Sequence, residues 1–101
     1  MSEPLVWVTN YDWRVATGGR CRMLLGQPRR VCHEPAAAEL NRGRWTRDRG
    51  RVDMWWPYCR QHLYGRRIAG GEVQSRVPAD SPAGQRGWIG QPPRERSEQQ
   101  A

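Results

Sequence analysis

The sequence predicts a small α+β domain made of two β-hairpins and a short helix, followed by a disordered C-terminal tail. The prediction depends on a length of 101 residues, on few aliphatic residues and on three cysteines near turn-forming segments. A chain of this length suits one domain that buries a modest fraction of its surface. Leu, Ile and Val contribute only 14 residues and Phe is absent, so we expect a further source of stability.

The tryptophans are expected to supply much of the buried apolar area. Six tryptophans add apolar area, and each ring buries about 150–250 Å² when it is covered. We expect at least Trp56 to be buried.

The domain is predicted over residues 1–77, with ordered structure from about residue 4. From Pro78 onwards Pro, Gly, Ser, Gln and charged residues dominate, so residues 78–101 are predicted to form a disordered tail.

The first half of the chain predicts a strand and then a hairpin. A β-branched and aromatic run within Pro4 to Trp13 is typical of a strand that ends at turn-forming residues. Cys21 and Cys32 are equidistant from Gly26-Gln27, so a hairpin turning there places the two cysteines directly opposite each other. Pro28 lacks a backbone donor and favours a wider loop.

The middle of the chain predicts a second hairpin and the helix. Two arms flank a polar loop over residues 42–51, and on the second arm Val52, Met54 and Trp56 alternate with other residues as in a half-buried strand. Pro57 is expected to end that strand. A short helix is predicted from about Tyr58 to Arg67, and a weak strand is predicted over residues 70–77.

Cys21, Cys32, Cys59 and His62 form the candidate metal site and include every cysteine of the chain. Three thiolates and one imidazole suit one tetrahedral zinc ion, and four protein ligands fill its shell, which indicates a structural ion. One ligand pair on a hairpin and the other at a helix N-terminus is the treble-clef arrangement; a zinc-ribbon-like domain is the related possibility. The helix dipole would also favour the Cys59 thiolate.

Three alternatives remain open for these residues. The cysteines can be reduced thiols buried as small apolar groups, or Cys21 and Cys32 can form a disulfide that leaves Cys59 free. His33 can replace His62 as the fourth ligand. We favour His62, because the side chain next to Cys32 in a strand points to the opposite face.

The spacing of these residues resembles a known module. C-x10-C-x2-P-A, with Cys21, Cys32, Pro35 and Ala36, precedes Y-C-x2-H, which ends at His62. This pattern is similar to a short zinc-binding module of many small phage proteins. With HLYGRRI after the last ligand, it resembles uncharacterised small proteins of actinobacteriophages over about residues 20–70. The resemblance implies zinc binding and a phage accessory protein in the cytoplasm of the infected bacterial host.

The sequence favours a binding function over catalysis. A His-Asn-His nuclease needs a histidine base outside the zinc shell, and only His33 remains for that role. No Ser-His-Asp elbow, phosphate-binding glycine loop or paired carboxylates are present. We therefore expect no enzymatic activity and no small-molecule substrate. No apolar run approaches the ~20 residues that span a bilayer, so we expect no membrane partner.

Positive charge predicts the first class of partner, DNA or RNA. All 17 basic residues are arginine, and from Arg14 to Arg67 there are 13 arginines against four acidic residues. Codon usage in a GC-rich genome explains arginine in place of lysine, and a solvated loop explains the charge run without any partner. Guanidinium groups nevertheless pair with phosphate and stack on bases. The predicted contacts are Arg42, Arg44, Trp45, Arg47, Arg49, Arg51, Arg66 and Arg67.

The second class of partner is a host protein complex, such as the transcription or translation machinery. Tryptophan and arginine are enriched at interface hot spots. The candidate contacts are Trp55, Trp88 and Ile89, although Trp55 can equally be a core residue.

Overall fold

The computed structural model describes residues 4–92, which fold mainly as β-structure with one short α-helix. The strands are β1 (Leu5–Asn10), β2 (Trp13–Val15), β3 (Leu24–Leu25), β4 (Arg30–Val31), β5 (Ala38–Asn41), β6 (Arg44–Thr46), β7 (Gly50–Val52), β8 (Trp55–Tyr58), β9 (Arg66–Ala69), β10 (Glu72–Pro78) and β11 (Trp88–Ile89). The helix α1 is Pro82–Arg86, and a 3₁₀ turn occupies Arg60–His62. The fold therefore has more strands than the predicted pair of hairpins. Within residues 4–92 no helix is both long and apolar enough to cross a bilayer.

The larger sheet has four strands in the order β11-β1-β10-β9. β1 and β10 are antiparallel with Val8 opposite Ser75, and the Asn10 amide donates a hydrogen bond of 2.8 Å to the Ser75 hydroxyl. Val8, Asn10 and Ser75 are buried, as is Val73, so one face of these strands packs inward. The strand predicted to be weak over residues 70–77 is the longest in the described chain and lies inside the sheet.

The second sheet has three strands in the order β2-β5-β8. Pro57 lies inside β8, opposite Glu39, so the prediction that it ends the strand is wrong. β8 is an edge strand, where a residue without a backbone N–H is tolerated. The predicted single strand through Val52, Met54 and Trp56 is divided between β7 and β8.

The helix predicted from Tyr58 to Arg67 is replaced by the 3₁₀ turn and the first residues of β9. Tyr64 has a φ of 38° and Gly65 a φ of 72°. Two successive residues in the left-handed region are incompatible with a continuing right-handed helix. The α-helix required by the treble-clef prediction is thus absent at this position.

The disordered tail predicted from residue 78 is wrong for residues 78–92. Ser81 caps α1, because its hydroxyl accepts a hydrogen bond of 3.0 Å from the Gly84 N–H. Gly87, with a φ of 94°, ends the helix. β11 then pairs in parallel with β1, which places ordered structure beyond the predicted boundary of the domain. Residues 93–101 of the predicted tail and residues 1–3 lie outside the described residues.

The buried core is small. Its hydrophobic residues are Val8, Trp13, Cys21, Cys32, Ala38, Cys59, Leu63 and Val73. Three of these eight are the cysteines, so a large part of the interior consists of potential metal ligands. Trp56, which was expected to be buried, is half-buried, and the guanidinium carbons of Arg22 and Arg42 lie 5.4 and 5.3 Å from its ring centroid.

Candidate metal centre and arginine-rich arm

Cys21 and Cys32 flank the β3–β4 hairpin. Leu24 pairs with Val31 across it, and the Cys32 N–H donates a hydrogen bond of 2.8 Å to the Met23 carbonyl. The predicted register, with Cys21 directly opposite Cys32, is therefore wrong by two residues. A four-residue turn over 26–29 replaces the tighter turn, in line with the wider loop expected from Pro28.

Cys59 and His62 come from the end of β8 and from the 3₁₀ turn. The His62 N–H donates a hydrogen bond of 3.0 Å to the Cys59 carbonyl, which closes the turn and brings the two side chains to the same side. The two halves of the site are joined through the backbone, because the Arg22 N–H donates a hydrogen bond of 3.3 Å to the Pro57 carbonyl.

The four predicted ligands lie together, and we call them the Cys3His cluster: Cys21, Cys32, Cys59 and His62. All are buried, and their ligand atoms lie within 4.8 Å of one another. His62 Nδ1 is 3.3 Å from the Cys21 sulfur and 3.2 Å from the Cys59 sulfur. The sulfurs of Cys32 and Cys59 are 3.9 Å apart. The geometry is compatible with one metal site.

The distances can be compared with those of a tetrahedral zinc site. Zn–S bonds of about 2.3 Å and Zn–N bonds of about 2.0 Å place two sulfurs about 3.8 Å apart and a sulfur and a nitrogen about 3.5 Å apart. The three distances given above lie within about 0.4 Å of these values, and every other pair of ligand atoms lies within 4.8 Å. The residues present therefore fit a zinc ion held by three thiolates and one imidazole.

The thiols of the cluster differ in acidity. Burial raises the pKa of Cys21, but hydrogen bonds from backbone groups of Met23 and Cys59 and from His62 outweigh it and lower the pKa to about 7. A hydrogen bond from the Glu34 backbone lowers the pKa of Cys32, but burial and the neighbouring thiols raise it by a larger amount. The net shift of this pKa is therefore upward. Ionising one thiol thus disfavours ionising the next. A bound cation would remove that conflict.

Two alternatives to this ligand set were a disulfide between Cys21 and Cys32 and ligation by His33 in place of His62. All three cysteines are free thiols. His33 is exposed and lies outside the cluster, whereas His62 is buried within it.

Most of the predicted nucleic-acid contacts lie on a separate hairpin, which we call the arm: β6, β7 and the turn between them. The arm forms a two-stranded sheet of its own. Its arginines, Arg44, Arg47, Arg49 and Arg51, are all exposed, as is Arg42 before it. Within residues 4–92 the one ion pair is Arg14–Glu39, so no arginine of the arm forms an ion pair there.

The arm is fixed at its base and at its tip. At the base, the Asn41 side-chain oxygen accepts hydrogen bonds of 3.0 Å from the Gly43 N–H and 3.3 Å from the Met54 N–H. At the tip, the Thr46 hydroxyl donates a hydrogen bond of 3.0 Å to the Gly50 carbonyl. Sequence reasoning missed the role of Asn41; the signal was an asparagine two residues before a glycine, the pattern of a local side-chain turn.

Trp45 is the most exposed large apolar side chain among the described residues, at 79%. It lies opposite Arg51 across the arm. A Cβ at Gly50 would lie 3.2 Å from Trp45 Cζ3, and a Cβ at Gly43 would lie 2.5 Å from an Arg51 guanidinium nitrogen. The two glycines thus let both side chains lie against the arm backbone.

The other two predicted contacts, Arg66 and Arg67, lie on β9 away from the arm. Arg66 is half-buried, donates hydrogen bonds of 2.7 and 3.0 Å to the Leu63 and Tyr64 carbonyls, and stacks 4.5 Å above Trp13. Burial lowers the pKa of Arg66. Arg67 is exposed, lies 4.3 Å from the centroid of Trp7 and donates to the Gln74 side chain. Arg66 is therefore engaged within the fold, and only Arg67 presents an accessible guanidinium.

The predicted protein contacts Trp55, Trp88 and Ile89 are all half-buried. The Arg14 guanidinium carbon lies 4.0 Å from the Trp55 ring centroid. Trp88 and Ile89 form β11, opposite Thr9 and Asn10 of β1. The structure therefore places Trp88 and Ile89 in the larger sheet.

A concave region, which we call the groove, adjoins the arm. Its volume is about 590 Å³, and it is lined by Tyr11, Asp12, Trp13, Arg14, Asn41, Arg51, Asp53, Trp55, Gln91 and Pro92. These residues come from both ends of the described chain and from the arm, so no single sequence segment could have indicated the groove.

Comparisons with known proteins found no match: no family model, no curated protein and no solved structure is significantly similar to this chain.

Proposed function

We propose that this chain is a non-enzymatic phage accessory protein that binds nucleic acid through the arm and is stabilised by one structural zinc ion. The observation that carries the nucleic-acid proposal is the group of four exposed arginines on a hairpin that has no ion-pair partner within residues 4–92. The phage origin and the host cytoplasm depend on the resemblance of the zinc-ligand pattern.

The zinc part of the proposal is supported by the chemistry of the Cys3His cluster. Soft thiolates and imidazole are the ligands that zinc prefers in structural sites, and four of them leave no position for a substrate or catalytic water. The cysteines also form three of the eight buried hydrophobic residues. A bound ion would therefore supply folding free energy where the apolar core is small.

The nucleic-acid part is supported by the electrostatics of the arm. The segment from Arg44 to Arg51 holds four arginines and one acidic residue, Asp48. Each guanidinium that contacts a phosphate releases condensed counterions, so binding through the arm would weaken steeply as salt increases. Arginine also forms paired hydrogen bonds with phosphate.

The experiment is a salt series of nucleic-acid binding with two matched double variants. Arg47→Gln with Arg49→Gln removes two charges from the arm, and Arg29→Gln with Arg30→Gln removes two exposed charges from the β3–β4 hairpin. We expect the arm variant to reduce the slope of log affinity against log salt by about 0.7–0.9 per lost phosphate contact. Equal effects of the two variants would contradict a specific role for the arm.

A second candidate function is docking on a host protein complex, and one observation favours it. Trp7 lies opposite Arg76, and Trp88 lies opposite Thr9, on the same face of the larger sheet. The guanidinium carbons of Arg67 and Arg76 lie 4.3 and 5.9 Å from the Trp7 ring centroid. Tryptophan and arginine side by side are typical of interface hot spots.

Trp88→Ala tests this second candidate. If a host protein is the target, Trp88→Ala should abolish its capture from a host lysate while nucleic-acid affinity stays unchanged. Capture that survives this substitution but is lost with the arm arginines would instead indicate bridging by nucleic acid.

A further inference from the structure

Trp45 differs from the other tryptophans in its surroundings. In the other five, an arginine guanidinium carbon lies 4.0–5.9 Å from the ring centroid. No described arginine covers Trp45 in this way, and the ring is 79% exposed. The fold therefore leaves one of its six indoles uncovered, at the centre of its most basic hairpin.

The ring lies beside the backbone of Gly50. Its Cζ3 and Cη2 atoms lie 3.2 and 3.7 Å from the position of a Cβ at Gly50, where the backbone has a φ of 70°. The strand that carries Trp45 is closed by the Thr46 hydrogen bonds.

From this geometry we propose that the arm binds single-stranded nucleic acid, with one unpaired base stacked on Trp45. The proposal deepens the proposed function and rests on it. In a duplex both faces of every internal base are covered by neighbouring base pairs, so an indole can stack there only after unstacking, which costs a few kcal/mol. An unpaired base offers a free face at no such cost.

The groove lies next to the arm and extends towards the three-stranded sheet β2-β5-β8. Arg51 belongs to both, and three aromatic residues, Tyr11, Trp13 and Trp55, line the groove. Its two arginines are balanced by Asp12 and Asp53, so the groove is much less positive than the arm. Aromatic walls with carboxylate acceptors suit a nucleobase, whose edge N–H groups can donate to the carboxylates, better than a phosphate. The base next to the one on Trp45 would enter the groove.

The test measures the affinity of the full-length, metal-replete protein for three probes of equal length. These are a thymidine oligonucleotide of about 12 nucleotides, the corresponding duplex, and a strand in which every nucleotide is abasic. The abasic strand keeps the phosphates and removes the bases. Trp45→Ala is compared with Tyr64→Ala, because Tyr64 is the other strongly exposed aromatic residue, at 67%.

The wild-type protein should bind the thymidine strand more tightly than the duplex or the abasic strand. Trp45→Ala should weaken binding of the thymidine strand by about 5- to 150-fold, as measured for the loss of one base–aromatic stack, and leave the other two affinities unchanged. Tyr64→Ala should change none of them.

The outcomes separate the two proposals. Equal affinity for all three probes, with no effect of Trp45→Ala, would overturn single-strand recognition and leave phosphate binding by the arm intact. Absence of binding to every probe would overturn both.

The groove has its own test. Gln91 lines it and is exposed, so Gln91→Glu leaves the core undisturbed and adds a negative charge that repels the phosphates of a strand in the groove. Gln85→Glu, at an exposed position on α1, is the matched control. Gln91→Glu should weaken binding of the thymidine strand more than Gln85→Glu does; equal effects would remove the groove from the proposed path.

Discussion

The Cys3His cluster and the arm each concentrate ionisable groups, and the fold buries one set and exposes the other. The cluster buries three thiols and an imidazole within 4.8 Å of one another. The arm holds four arginines in solvent with no carboxylate partner among the described residues. Burial makes repulsion between thiolates severe, so a cation inside the protein would stabilise the ionised cluster. Exposure makes repulsion between guanidiniums mild, so the arm can remain charged until it meets an anion outside.

This comparison predicts that metal removal has the largest effect on folding. Treatment with a strong chelator, or Cys59→Ser, should unfold the domain, because structural zinc contributes about 10–16 kcal/mol in small zinc modules at neutral pH. Far-ultraviolet circular dichroism beside elemental analysis measures both quantities. The zinc-free protein should show no cooperative thermal unfolding transition.

The arm supplies the control for this first prediction. Arg47→Gln with Arg49→Gln should keep its zinc and its transition. A chelated protein that remains folded, or a purified protein with no metal, would overturn the structural role of the cluster.

The arm should be important for nucleic-acid binding and should contribute little to stability, in contrast to the Cys3His cluster. Replacing Arg44, Arg47, Arg49 and Arg51 together by glutamine should abolish salt-dependent nucleic-acid binding. The free energy of unfolding should change by less than about 0.5 kcal/mol per substitution, as for exposed sites in general. Chemical denaturation of the zinc-loaded protein measures this directly. A large loss of stability would mean that the guanidiniums are engaged within the fold, as Arg66 is.

The third prediction concerns pH and follows from the acidity of the thiols. Without metal, the lowered pKa of Cys21 shifts the unfolding equilibrium towards the folded state at pH values above the unfolded pKa of a thiol, and this contribution is lost as pH falls through about 7. The raised pKa of Cys32 has the opposite sign, and it lowers the free energy of unfolding as pH rises past the ordinary value of a thiol.

Zinc binding needs all three thiols ionised. The apparent zinc affinity should therefore fall as pH decreases, and more steeply below about pH 7, where Cys21 also becomes protonated. Competition with a chromophoric chelator over a pH series would show the change of slope. A flat profile would indicate that no thiol loses a proton on binding.

The smallest predicted effect isolates the geometry of the arm. Gly50→Ala should cost about 1 kcal/mol of stability from backbone strain at φ 70° and should also displace Trp45, which lies 3.2 Å from the added Cβ. Gly70→Ala is the matched control, because Gly70 has a φ of 61° but no atom within 4 Å of its Cβ position.

Both variants should melt earlier by similar amounts, and only Gly50→Ala should weaken binding of the thymidine strand. Equal binding by the two variants would show that the position of the indole is unimportant.

The sequence was most informative where chemistry rather than backbone geometry set the outcome. The four residues of the Cys3His cluster were found together because thiols and an imidazole are few and their chemistry is shared. The helix expected at the last ligand failed because Leu63-Tyr64-Gly65 turns the chain through two left-handed residues, and only Gly65 signals this in the sequence. The tail was predicted to be disordered because of its composition. The local sequence nevertheless contains signals for a helix, since Ser81 and Pro82 mark its start and Gly87 marks its end.

Long-range pairing was the other limit. β11 lies beside β1 although almost 80 residues separate them in the chain, and the groove depends on that return. The stacking of arginines on Trp7, Trp13 and Trp55 likewise joins residues from distant segments. Periodicity within a short window contains no information about such contacts.

The exposure of Trp45 gives the arm an optical reporter of its own. The other five indoles are buried or half-buried, so a dissolved collisional quencher of fluorescence reaches Trp45 most readily. The quenchable part of the intrinsic emission should therefore come mainly from the arm, and a partner that covers the arm should protect it. Occupancy of this hairpin can then be followed in the unlabelled protein, separately from the state of the metal centre.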